Sequence, residues 1–133
     1  MKPGIESAVG ILEIRVTPEM TAVLDDREIH PVYSTFWACY HCEVAARRAI
    51  EPYFDIDENA VGSSLAIRHK AMAGVGTEII ITAHVDQING NRIICRVQVL
   101  TKHSKHVLAE GTQEQVVLPG SKLEELAANA HRE

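Results

Sequence analysis

The sequence predicts an α+β fold in which an antiparallel sheet of about five strands covers one long helix. Three observations predict it. A single helical stretch follows Ser34-Thr35, a succession of β-branched runs comes after it, and an Asn89-Gly90 step joins two of those runs as a hairpin.

Ile11 to Val16 (Ile-Leu-Glu-Ile-Arg-Val) reads as the first strand, ended by Thr17-Pro18. The charged stretch from Thr21 to Val32 shows no period and reads as irregular chain. From Phe36 to Tyr53 there are alanines and no glycine, with Ser34-Thr35 placed to cap the first turn and Pro52 marking the other end. This is one helix of about 27 Å at the usual rise per residue. Its apolar residues cover most of the circumference and leave His41, Arg47, Arg48 and Glu51 as the polar remainder, which predicts a largely buried helix.

Beyond the connector Asp55 to Asn59, alternation places Val61, Ser63, Leu65, Ile67 and His69 on one strand face, opposite Gly62, Ser64, Ala66 and Arg68. Thr77 to Ile88 and Arg92 to Thr101 are long β-branched runs. Val107 to Leu118 is a further strand, and Ser121 to Arg132 is a short terminal helix. A sheet of this kind has one helix to cover its apolar face, and wrapping around that helix gives the hotdog arrangement. A length of 133 residues with 46% apolar composition suits one core, so residues 1–133 read as one domain.

No stretch approaches the roughly 20 apolar residues of a bilayer span, and Met1 to Gly10 has neither the basic nor the apolar segment of a secretion signal. The odd count of three cysteines (Cys39, Cys42 and Cys95) predicts reduced thiols and a soluble cytoplasmic protein without a membrane partner. A formal net charge of -5, with basic groups not interleaved with aromatics, argues against nucleic acid.

Glu43 shares its helical stripe with Phe36, Cys39, Tyr40, Ala46 and Ile50, so a partly desolvated carboxylate is expected, suited to a general base or nucleophile. The structural alternative is an i,i+4 pair with Arg47, worth a few tenths of a kcal/mol. His69 falls on the strand face expected to meet the helix, where it could polarise or transfer a proton, or be a satisfied core histidine. Thr35 is either an N-cap worth about 1 kcal/mol or a hydroxyl at the mouth of a site, beside the free N–H groups of a helix start. Gly62 either brings backbone close to a substrate or relieves crowding in a strand. Cys39-Tyr40-His41-Cys42 has the CxxC spacing. With no second CxxC or paired histidines, and no strand directly ahead of it, it reads as two core thiols and not as a metal or redox site.

From Tyr33 to Val117 the chain resembles the fluoroacetyl-CoA thioesterase family, a hotdog branch. The resemblance is carried by Thr35-x7-Glu43, Pro52-Tyr53-Phe54, Val61-Gly62-Ser63, Arg68-His69, Gly76-Thr77, Asn89-Gly90-Asn91-Arg92 and Glu110-Gly111-Thr112-x-Glu114. It implies hydrolysis of an acyl-CoA to a free acid and CoA, with Thr35, Glu43 and His69 as the catalytic group. Gly62, Phe36, Arg68 and Gln115 would contact substrate. Arg47 and Lys70 join Arg68 as implied phosphate contacts. No cofactor is implied, since CoA is part of the substrate, and no metal. The resemblance also implies a homodimer or a higher assembly, with sheets joined edge to edge and the site near the interface.

The chain departs from the family pattern at Gln115, where a basic residue is usual, and in Ala22 to His30, which lacks the aromatic residues of a lid. The acyl group is therefore left open. Two rival readings are an enoyl-CoA hydratase, which would need an Asp and a His at the helix start, and a non-catalytic acyl-CoA or small-ligand binding module.

Overall fold

In the computed structural model, which describes Met1–Glu133, helix α1 (Thr35–Ile50) lies across a five-stranded antiparallel sheet. The strands are β1 (Val9–Arg15), β4 (Glu58–His69), β5 (Glu78–Asn89), β6 (Arg92–Thr101) and β7 (Val107–Pro119), in the order β1-β5-β6-β7-β4. A short helix α2, Gly120–Ala128, ends the fold. This is the hotdog arrangement the sequence predicts. No helix is long and apolar enough to cross a membrane.

Small side chains let α1 sit close to the sheet. Ala38, Cys42, Ala45, Ala46 and Ala49 are fully buried, facing Ile79, Ile81, Ile93 and Val97 of β5 and β6. Each buried isoleucine or valine contributes roughly 1.5–3 kcal/mol. A Cβ at Gly10 of β1 would stand 2.0 Å from the Ala45 carbonyl oxygen, so strand and helix touch backbone to backbone there. The helix is buried on one side only: Phe36 and Tyr40 are exposed, while His41, expected on the polar side, is inside. Pro52 ends regular helix, and Glu51–Tyr53 continues as a 3-10 turn.

Three local expectations need correction. The stretch read as irregular is a separate hairpin, β2 (Thr21–Leu24) and β3 (Arg27–Tyr33), turned by Asp25 and Asp26 at φ of 53° and 61°. Asp tolerates this left-handed region better than most residues, and a two-stranded ribbon off the main sheet has little buried face to impose alternation. In the β5–β6 hairpin, Gly90, not Asn89, takes the first loop position, at φ 64°, between the paired Asn89 and Arg92. Finally, β4 carries a bulge between Gly62 and Ser64. The extra residue swaps faces, so Val61 turns outward, at 45% exposure, and Gly62 turns toward α1, while Leu65, Ile67 and His69 keep the helix side.

Candidate functional site

Two recesses flank α1. The first lies at its N-terminus. Ser34 caps the helix, its Oγ accepting from the Trp37 N–H at 3.1 Å. Thr35 is thus the first helical residue and not the cap, and its hydroxyl is left for another partner. That partner is His69 at the end of β4, with Thr35 Oγ1 2.8 Å from His69 Nδ1. The pair opens into a cavity of about 290 Å³ lined also by His30, Tyr33, Lys70 and Met72.

His69 Nε2 is buried with no hydrogen-bond partner. With a proton on Nδ1, that ring N–H donates to Thr35 Oγ1 and leaves the Thr35 O–H to donate into the cavity. Ser34 and Thr35, at the start of α1, line the same cavity.

The second recess, about 370 Å³, is lined by Tyr40, Glu43, Val44, Arg48, Gly62 and Gln115, together with Arg47. Glu43 Oε1 accepts from Gln113 Nε2 at 3.1 Å. The carboxylate rests against Gly62, where a Cβ would stand 2.3 Å from Oε1. The bulge in β4 makes this contact possible by turning Gly62 inward. The alternative pair with Arg47 does not form. Arg47 donates instead to Glu51 at 2.5 Å, the Ala60 carbonyl at 2.9 Å and Asn59 Oδ1 at 2.7 Å, and lies over the Phe54 ring.

On the single chain Glu43 is an exposed residue whose Oε1 alone is covered, by Gln113 and Gly62. It does not share a cavity with His69, because eight helical residues separate it from Thr35 by about 12 Å.

Tyr33, His41, Gln113 and His30 are residues near these recesses that sequence reasoning missed. The Tyr33 hydroxyl and His41 Nδ1 share a hydrogen bond at 2.6 Å, and the Tyr33 ring meets the His69 ring edge-on at 6.3 Å between centroids. Burial lowers the His41 pKa and pushes the Tyr33 phenol well above its usual value, so both stay neutral. Burial also raises Cys42 to about 12 and Cys95 to about 11, and raises Cys39. These thiols are protonated at neutral pH and are poor nucleophiles.

The other expected contacts are scattered. Phe36, 70% exposed, packs edge-on to Trp37 beside Thr35. Gln115 is 2% exposed, lines the recess beside Glu43, and its Nε2 has no partner within the chain. Lys70 is paired with Glu110. Arg68 is exposed, on the outward side of the strand end that holds His69.

Residues 16–121 match the family model described as fluoroacetyl-CoA-specific thioesterase. Over 91 residues the chain is 26% identical to the fluoroacetyl-CoA thioesterase of Streptantibioticus cattleyicolor, a match spanning 68% of this chain and 64% of that protein. A Thermus thermophilus hypothetical protein, a thioesterase superfamily member, has the same fold with a TM-score of 0.92 and 35% identity, over 97% of this chain and 94% of that one. A variant of the fluoroacetyl-CoA-specific thioesterase in complex with fluoroacetate and CoA superposes with a TM-score of 0.76 at 23% identity, over 88% and 97% of the two chains.

Proposed function

The chain belongs to the fluoroacetyl-CoA-specific thioesterase family, and we propose that it is a homodimeric acyl-CoA thioesterase using Thr35, Glu43 and His69. The observation that carries this reading is the Thr35–His69 hydrogen bond at the open helix start. It spends a histidine on holding a hydroxyl in a cavity when Ser34 already caps the helix. In the related complex with fluoroacetate and CoA, the bound molecules are the acid and thiol that such a hydrolysis releases.

The thioester carbonyl oxygen would take hydrogen bonds from Thr35 O–H and the first N–H groups of α1, which oppose the charge it gathers. Glu43 acts as base or nucleophile. As base it draws the proton from water, the water oxygen bonds to the carbonyl carbon, and the C–S bond breaks as the CoA thiolate leaves and takes up a proton. Gly62 and Gln115 line the floor beside Glu43, Phe36 walls the entrance, and Arg68 is the free cation for the CoA phosphates.

A second copy supplies the missing convergence. Strand β4 is an edge strand of 12 residues, and such an edge invites pairing. Beside it α1 exposes Phe36 and Tyr40. Antiparallel pairing of β4 with its twofold mate, about an axis between Leu65 and Ala66, sets Gly62 opposite the partner's His69. Each Glu43, resting on Gly62, then reaches the Thr35–His69 pair of the other copy.

The test is thiol release from short, branched and aromatic acyl-CoAs by the purified protein. Hydrolysis that is lost in Glu43→Ala and His69→Ala supports the reading. Binding without thiol release would instead indicate a ligand-binding module, and hydration of crotonyl-CoA a lyase.

A further inference from the structure

Gln113 lies in the apolar layer beneath α1 at 0% exposure, opposite Leu65 of β4 and Cys95 of β6. An amide buried there must find partners for its donors and its acceptor. Nε2 donates to Glu43 Oε1 at 3.1 Å, while the Gln113 Oε1 atom has none. Methionine would fill a similar volume without an unpaired atom, so packing gives no reason for an amide.

The reason is found at Glu43. An ionised carboxylate only accepts, so the NH2 end of Gln113 is the end that must face it. The same carboxylate is braced on its other side by the β4 backbone at Gly62, where a Cβ would also lie 3.3 Å from Gln113 Nε2. Glu43 Oε1 is thus held between two sheet strands, and Oε2 makes no hydrogen bond within the chain. An exposed glutamate on a helix would otherwise sample several rotamers.

We propose that Gln113 is a positioning residue, holding the Glu43 carboxylate against Gly62 so that its second oxygen meets the reacting groups. This rests on the role of Glu43 given above. A misplacement of about 1 Å in a reacting group can lower a rate on the order of 10²-fold.

The experiment compares Gln113→Met, Gln113→Asn, Glu43→Ala and the Gln113→Met/Glu43→Ala double variant in thiol release and thermal unfolding, with a crystal structure of Gln113→Met. Gln113→Met is expected to unfold at or above the wild-type temperature and to lose kcat by about 10- to 100-fold with KM nearly unchanged. Gln113→Asn keeps the amide but falls a methylene short, so it should lose kcat likewise, and it serves alone if the methionine variant does not fold. No further loss is expected in the Glu43→Ala background. The crystal structure should show the Glu43 carboxylate turned away from Gly62.

Full kcat in Gln113→Met and Gln113→Asn beside an inactive Glu43→Ala overturns this inference and leaves the role of Glu43 standing. An active Glu43→Ala overturns that role, and the inference with it. Losses that multiply in the double variant mean that Gln113 acts through another group. A carboxylate unmoved in the Gln113→Met crystal overturns the positioning whether or not an acyl-CoA is hydrolysed.

Discussion

Thr35 Oγ1 stands 2.8 Å from His69 Nδ1, joining the first turn of α1 to the last residue of β4. Because Ser34 is the cap, removing the Thr35 hydroxyl leaves the helix start intact. Thr35→Ala is expected to change stability by less than about 0.5 kcal/mol while lowering kcat on the order of 10²-fold. Thr35→Ser keeps the hydroxyl and should retain most activity. Steady-state kinetics beside urea unfolding checks both halves.

Gly62 and Gly10 are both places where a Cβ does not fit, but the obstacles differ. At Gly62 it is the end of the Glu43 side chain, at 2.3 Å, which can swing away. Gly62→Ala should therefore fold normally and lose about 10- to 100-fold in kcat. At Gly10 it is helix backbone, the Ala45 oxygen at 2.0 Å and the Ala49 nitrogen at 2.6 Å. Gly10→Ala should destabilise by about 3 kcal/mol or more, since β1 and α1 must part. Denaturant midpoints separate the two cases.

His41 gives stability a pH dependence with a defined sign. Burial lowers its folded-state pKa below the ordinary 6.5, so the unfolded chain binds the proton more readily. Its contribution is complete above the unfolded value and is lost as pH falls below it. Unfolding free energy should begin to drop as pH falls below 6.5, with a slope of at most about 1.4 kcal/mol per unit. His41→Leu should remove that onset. The lowered carboxyl groups of Glu78, Glu110 and Glu114 add losses only below their ordinary 4.5. Tyr33→Phe, which leaves His41 Nδ1 without its 2.6 Å partner, should cost about 1–2 kcal/mol at pH 7.

The main sheet and α1 were legible because long β-branched strands and an alanine-rich helix each carry a clear period. The proposed trio was not legible from periodicity, and it was the family resemblance that singled out Thr35, Glu43 and His69. The β2–β3 ribbon was hidden because it stands apart from the main sheet, so its charges and Pro31 obey no burial pattern. Strict alternation put Gly62 on the wrong face of β4, since a bulge at one residue reverses everything before it. Gln113 was hidden because β7 is polar on both faces there: Thr112 and Glu114 look outward while Gln113 and Gln115 are buried. The proposed meeting of Glu43 with His69 rests on a second copy, and a single sequence shows only the long edge strand that could recruit one.

A two-copy site predicts a dimer in solution, twice the 14.7 kDa chain. Val61 and Phe36 are exposed at 45% and 70% beside the β4 edge. A Val61→Lys/Phe36→Lys protein should elute as a folded monomer without hydrolytic activity. Light scattering coupled to size exclusion measures the mass, and circular dichroism the fold.

Subunit complementation tests the central claim most directly. Glu43→Ala and His69→Ala chains carrying different tags are co-expressed, and the mixed dimer is isolated and assayed for thiol release. Each parent dimer is expected to be inactive, while the mixed dimer keeps one intact site built from both chains and recovers roughly half the wild-type rate. A mixed dimer as inactive as its parents, beside an active wild type, would contradict the shared site.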